Sequence, residues 1–435
     1  MKKSLLTILC AVAMVATANA DNAPLKGKKF GTPFDGKTAV KMENVQEWPA
    51  DRELPASLQA QMKAQKAKAA AKASKISSLQ ELERGYSIAV KTYDGNIFNV
   101  TDDSDIEYGE YNSYSYVTVT GRSGIKIYGF TYGFDVEGTV DVTEGTVELP
   151  VSQVVMVSPT YGPYCLVVFF YDEEDQTTYY ITNYTIYGYV AEDGSIVFDN
   201  MDYLECYGYL LTEGDYKGYS LVGSGDWCIS TTLTINDQVA LQIDAVEPED
   251  ETAEDFDYQY YPVVVTRNGN ELTIDNFAGY GYVFNATATE NADGTLAVSI
   301  PSQLCGEATG GDFFTYGMDI VKWDDDDLWN VATSLRDFAT EDDAIVGVAE
   351  GATITLDPWC QYSPAPAYAN YTWDGLRYGT IIQLNTPLSD MTGINSVNNA
   401  TAKSNEWYTI NGVRLAGKPA VKGLYINNGK KVLVK

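Results

Sequence analysis

Histidine does not occur anywhere in the 435 residues. Its absence excludes Ser-His-Asp and Cys-His nucleophile activation, histidine general bases and histidine-ligated zinc. Any proton chemistry must come from carboxylates, tyrosine or lysine. Cysteine is scarce as well, with six residues of which Cys10 lies in the first twenty. The other five, Cys165, Cys206, Cys228, Cys305 and Cys360, contain no C-x-x-C pair, which argues against zinc or thioredoxin-like chemistry. They are too sparse for a disulfide-stapled scaffold and read as small buried side chains with at most one disulfide. No phosphate-binding or dinucleotide fingerprint occurs; "GSGDW" from Gly223 is only a fragment of one.

Long hydrophobic runs are missing too, except at the start, "MKKSLLTILCAVAMVATANA". Lys2 and Lys3, an apolar core from Leu5 to Ala16 and the small-x-small Ala18-Asn19-Ala20 make a secretory signal peptide, residues 1–20, with cleavage after Ala20. The core is shorter than the roughly 20 residues a spanning helix needs. Cys10 lacks the small residues a lipoprotein signal places before its cysteine. The expected protein is exported, to the cell surface or the medium with the periplasm as the alternative, and has no transmembrane segment.

Net positive charge is confined to the ends. Residues 21–84 carry 12 basic and 8 acidic side chains, and residues 391–435 carry 7 and 1, whereas residues 85–390 carry 8 and 51, a net of −43. A field of that sign repels nucleic acid and anionic membranes.

Residues 21–55 are Lys-, Gly- and Pro-rich and read as an extended leader. Residues 56–84 are rich in Lys and Ala, with Ser57 as an N-cap and Gly85 as a stop, and read as a helix. The helix has no wide apolar stripe, so a solvated spacer is expected. From Tyr86 the texture turns to Tyr, Val, Ile, Thr and Gly with Asp-Gly turns, which favours strands. Ile181 to Phe198 resembles Ile274 to Ile300, with a looser copy from Ile125; the turn glycines Gly95, Gly145, Gly194, Gly294 and Gly351 fit a spacing near 50 with one copy missing. Cys206 and Cys305 fall 12 and 11 residues after their turn glycines, as if sharing a packing position. The fold expected is all-β: two tandem antiparallel sandwiches or barrels built from ~50-residue repeats. A β-propeller is the alternative. Domain 1 spans 85–243, an acidic linker 244–258, domain 2 259–390 and a polar linker 391–406.

Candidate sites follow from the two abundances, carboxylates and tyrosines. Asp324, Asp325, Asp326 and Asp327 could ligate calcium through their oxygens. The helical spacing of Leu328, Val331, Leu335 and Phe338 makes them instead the capping start of a helix. Asp103 and Asp105, in "DDSDIE", resemble part of an EF-hand loop without its glycine, and read otherwise as a solvated loop. No cofactor is expected beyond that possible calcium. Paired carboxylates could support glycoside hydrolysis without histidine, but no particular pair stands out. The 33 tyrosines, including Tyr187/Tyr189 and Tyr280/Tyr282, suit cross-strand packing. Trp227, Trp359 and Trp373 are candidates for an aromatic surface recognising glycan or protein.

The end of the chain, residues 407–435, carries a Y-x-I-x-G-x-x-L strand (Tyr408, Ile410, Gly412, Leu415), the strand Lys422 to Ile426 and a terminal hairpin from Asn428 to Val432. These features resemble the C-terminal sorting domain of type IX secretion substrates, in a short form lacking the Tyr-Pro-Asn-Pro opening. The resemblance implies that the secretion machinery is a partner of the tail and that the tail can be cleaved with attachment to the cell surface. The acidic body resembles β-rich exported bacterial proteins of unknown function, which implies no activity. The reading reached is a non-enzymatic binding or structural protein outside the cell, with a carboxylate-dependent glycoside hydrolase as the alternative.

Overall fold

A computed structural model of the chain describes residues 40–41, 45–49, 52–94, 107–158, 160–172, 174, 176–199, 205–220, 227–246, 248, 256–308, 311–324, 327–335, 344–362 and 376–391, and within the tail 407–409, 414–415, 423–427 and 430–434. Residues up to Asp390 form one compact unit and Met391–Lys435 a second. In the second, the strands Arg414–Leu415, Trp407–Thr409, Gly423–Asn427 and Lys430–Val434 lie in that order in one sheet.

The first unit contains two closed antiparallel barrels of eight strands. In the first barrel Arg84–Asp94, Glu107–Thr120, Gly124–Thr131, Phe134–Asp141, Thr146–Pro150, Thr185–Val190, Ile196–Phe198 and Trp227–Ile235 pair in sequence, and the eighth closes onto the first and seventh. In the second, Val239–Val246, Asp257–Asn268, Glu271–Asp275, Val283–Glu290, Leu296–Ile300, Ile345–Glu350, Thr353–Leu356 and Gly379–Gln383 do the same. Closure leaves neither barrel with a free edge of its own. Alternate residues such as Ile125, Ile127, Val136 and Val140, or Leu272, Ile274, Leu296 and Val298, are buried, as a barrel interior filled by side chains requires. The strands close into barrels and do not radiate as propeller blades.

The two barrels share one topology down to their insertions. Each is interrupted after its fifth strand by a three-strand excursion: Val154–Ser158, Gly162–Asp172 and Thr177–Ile181 in the first, Leu304–Ala308, Gly311–Asp324 and Asp327–Leu335 in the second. Each returns a further strand after its seventh, Glu205–Leu211 or Trp359–Tyr362, which pairs with the middle strand of the excursion. A glutamine clamps each excursion to its barrel. Gln153 accepts from the Glu137 N–H at 2.6 Å and donates to the Glu137 carbonyl at 3.0 Å. Gln303 does the same with Asn285 at 2.8 and 2.7 Å.

The ~50-residue spacing thus has a concrete meaning. Gly145 and Gly194 turn the hairpins after strands four and six of the first barrel, and Gly294 and Gly351 those of the second, all with positive φ. The unit that repeats in full is the whole barrel, about 150 residues. Cys206 lies in the strand returning after strand seven and Cys305 in the first excursion strand, so the two do not occupy equivalent positions.

Four expectations are corrected. The helix runs only from Ala56 to Lys72, with Pro55 as its N-cap residue and no side-chain cap. At Ala73 the backbone turns extended because barrel groups take over its hydrogen bonds: the Ser74 N–H donates to the Val190 carbonyl and the Ile76 N–H to that of Val142. Nor is the helix a solvated spacer. Leu58, Gln65 and Ala69 are buried, Tyr184 donates to Gln65 Oε1 at 2.9 Å, and Lys66 and Lys72 pair with Glu148 and Asp199. Val45–Glu47 adds a parallel strand to Thr177–Ile181, and Trp48 packs edge-on against Tyr179 at 4.9 Å beneath the guanidinium of Arg52.

The passage between barrels is at residues 236–238. The stretch 244–258, expected as the linker, joins two paired strands of the second barrel, Val239–Val246 and Asp257–Asn268. Finally, Asp324 and Asp327 face each other across an antiparallel pair, Gly311–Asp324 with Asp327–Leu335, so the segment is a β-hairpin and not a helix start. Leu335, one of the apolar residues at helical spacing, pairs with Met318 of the preceding strand, Leu328 and Val331 lie in the same strand, and Phe338 lies outside the described residues; tertiary pairing outweighs the local pattern.

The barrels are locked together along their first strands. Tyr116 and Tyr128 of the first pack with Leu241 of the second, and Tyr128 stacks on Tyr260 at 4.7 Å. Gly85 lies so close to Val239 that a Cβ there would sit 2.2 Å from its carbonyl oxygen. Among the described residues no helix is long and apolar enough to cross a membrane.

Candidate functional site: a buried ion pair in the second barrel

The strand Val239–Val246 carries Gln242 and Asp244 into the second barrel, both fully buried. Thr380 faces Asp244 in register from the eighth strand. The Asp244 carboxylate accepts from Thr380 Oγ1 at 2.6 Å, Gln242 Nε2 at 2.8 Å and Arg377 Nε at 3.2 Å. Arg377 lies at the barrel end, held by a two-way backbone bridge to Trp359 at 3.0 and 2.8 Å. Trp359 closes the site: its indole donates to Thr380 Oγ1 at 2.9 Å, and its ring packs against Phe277 and lies 5.6 Å from the guanidinium. Among the described residues the buried ring hydroxyl of Tyr280 has no hydrogen-bond partner.

Burial pushes the Asp244 carboxyl above its usual range, while the Arg377 charge and three donors pull it back. Burial alone would lower the Arg377 pKa, but the Tyr280, Tyr261 and Asp244 oxygens outweigh it and raise the value, so the guanidinium stays charged. A carboxylate that only accepts, met by three donors, is the ionised partner of that cation. Burial lifts the Tyr261 hydroxyl to about 12. The cluster is therefore a compensated, closed ion pair that fastens the returning strand to the barrel. It presents no free acid, base or nucleophile.

Its origin is visible in the first barrel. By strand register Tyr207 stands where Trp359 does, and bridges to Cys228 as Trp359 bridges to Arg377. Thr231, the counterpart of Thr380, hydrogen-bonds the Tyr207 hydroxyl as Thr380 does the indole, and Val90, opposite Thr231, is the counterpart of Asp244. One barrel fills these two positions with valine and cysteine, the other with a salt bridge.

Two surface hollows flank the helix and share Lys66. One, of about 700 Å³, is lined among others by Arg122, Asp141, Glu144 and Glu148, and the other, of about 470 Å³, by Leu54, Met62, Lys63 and Tyr187. Hydrogen bonds from Thr143 hold Asp141 below the usual carboxylate range, and Lys66 pairs with Glu148.

Of the aromatic candidates, Trp227 is 3 % exposed against Phe169, and Trp359 is fully buried, so both are core and neither lines a recognition surface. Trp373, Asp103, Asp105, Asp325, Asp326 and Ala20 lie outside the described residues. Asp324 and Asp327 are placed only by their backbone pairing. Among the described residues no group of three or more acidic or cysteine side chains is arranged to hold a metal ion. All five described cysteines are buried free thiols, and burial lifts Cys305 and Cys360 to about 12. None should react with a small disulfide reagent in the native protein, and all five should titrate once it is unfolded in guanidinium. A single fast native equivalent would contradict the burial.

Sequence reasoning missed Asp244 and Arg377. A usable signal existed for the arginine, one of only eight basic residues in the acidic body. Comparison of the chain with protein-family models, with curated proteins and with solved structures finds no match.

Proposed function

We propose that the protein is an exported, non-enzymatic binding or structural module that works outside the cell, with the basic tail as its secretion address. What supports the reading is where the carboxylates with raised pKa sit. A glycosidase acid must keep its proton near neutral pH and face a cleft. Here burial lifts Asp135 and Asp275 to about 6, but Asp135 is bound to the backbone of Gly129, which packs against Pro262 at the seam between barrels. Asp244 is sealed inside a barrel. Of the acids lining the helix-side hollow, Asp141 is held below the usual carboxylate range and Glu148 is paired with Lys66. Surface recognition of glycan or protein through rims such as the one around Tyr187 remains the available work.

The test is a binding screen of purified glycans and extracellular proteins run beside a polysaccharide depolymerisation assay. Binding without cleavage is expected; cleavage without stable binding overturns the reading. In cells that possess the type IX machinery, deleting residues 407–435 should leave the protein inside the outer membrane. Unchanged release would remove the tail from the proposal.

A further inference from the structure

From Leu149 to Tyr171 no residue carries a charge, the longest such stretch in this chain. It contains the strand Val154–Ser158, sequence VVMVS, which pairs with Gly162–Asp172 on one side only; Phe134–Asp141 passes near it, but no other described strand hydrogen-bonds to its second edge. Val154 is 55 % and Val157 66 % exposed, the latter more than any other large apolar side chain among the described residues. On its inner face Val155 and Met156 pack with Tyr161, Tyr164 and Tyr219, so the strand is anchored and not frayed. Apolar strands with a free edge recruit further strands, and proteins ordinarily blunt such edges with charge.

The second barrel supplies an internal control. Its equivalent strand Leu304–Ala308 pairs with Gly311–Asp324 in the same register: Val157 lies opposite Pro163, and Glu307 opposite Asp312. At the two positions where the second barrel carries acids, the first carries valine and proline. The same fold in the same chain thus places acidic residues at this register on one edge and uncharged ones on the other.

We infer that the edge Val154–Ser158 is a self-association surface, on which two copies of the chain pair antiparallel about a two-fold axis. The occupant follows from charge. With a net of −43 over residues 85–390, two copies repel wherever acids face each other. The charge-free edge is the face on which they can approach, and an antiparallel pair of identical edges is self-complementary. The bulge between Val154 and Met156 limits pairing to the residues beyond it. The interface is accordingly small, below the area of a permanent dimer, and the dimer is a weak one.

The experiment is sedimentation velocity on the full chain at about 1–100 μM, the range in which weak dimers dissociate, at low and high salt. Wild type should move from monomer to dimer across the series, and more readily at high salt, where acidic repulsion is screened. Val157→Glu, the residue the second barrel itself uses, should raise the dissociation constant at least tenfold without lowering the melting temperature. A wild-type chain that stays monomeric throughout overturns the inference. So does a dimer that Val157→Glu leaves intact.

Discussion

Replacing Asp244 by valine alone should destabilise the protein by about 3–5 kcal/mol, the usual cost of leaving one partner of a buried ion pair unmatched. Arg377 would keep its charge in a site with 9 % exposure, and Gln242 and Thr380 would lose their acceptor. The double variant Asp244→Val with Arg377→Met should be more stable than the single one, because it gives both positions an apolar filling, as Val90 and Cys228 do in the core of the first barrel. Arg377→Met approximately conserves volume, which avoids adding a cavity to the loss of charge. Urea unfolding of the four members of this cycle measures the coupling, expected at roughly 2–3 kcal/mol for groups in direct contact. Additive losses would mean that the two residues do not act as a pair.

The second large effect is a dependence on pH opposite to ordinary acid denaturation. Burial raises Asp135 to about 6 against the Gly129 N–H and the Lys126 charge, which pull it down. A carboxyl whose pKa is higher in the folded than in the unfolded chain holds its proton longer when folded. Its contribution is therefore present in full below the unfolded value near 3.9 and is lost as pH rises through about 6, on the order of 2–3 kcal/mol in all. Asp275, lifted to a similar value by partial burial, adds in the same direction. Asp135→Asn keeps the carbonyl that accepts from Gly129 and removes the charge. It should match wild type at pH 4 and exceed its stability at pH 7, as read by thermal or urea unfolding. A wild-type chain equally stable at pH 4 and 7, with the variant no better at pH 7, would show Asp135 solvated.

The all-β class, the pair of antiparallel β domains and the position of the tight hairpins were legible along the chain, because these depend on period-two patterning and on glycines at positive φ; the choice of barrel over sandwich was not. Where a pattern served two surfaces at once, sequence misled. In the strand Val239–Val246 the strongly apolar residues Val239, Leu241 and Ile243 alternate with Ala240, Gln242 and Asp244. Alternation alone turns Gln242 and Asp244 to solvent. In the structure they line the barrel, and Leu241 and Ile243 meet the neighbouring barrel's tyrosines. Both faces are buried, so the polar face is inside, and only the presence of the first barrel and of Arg377 makes that arrangement stable. The same cause put the domain boundary too late. A strand with aspartate at its end, followed by an acidic run, looked like a linker until its pairing with Asp257–Asn268 was known.

By itself the sequence determined what this protein cannot do with histidine, where its charge lies, and that it folds as strands turned by glycine. These are local properties, set by side-chain type and backbone freedom. Tertiary structure alone decided that the helix lies against the first barrel, that Trp227 and Trp359 are core, and that one edge strand is left unguarded. Each of those depends on which residues far apart in the chain come to share a surface, and no local pattern encodes that.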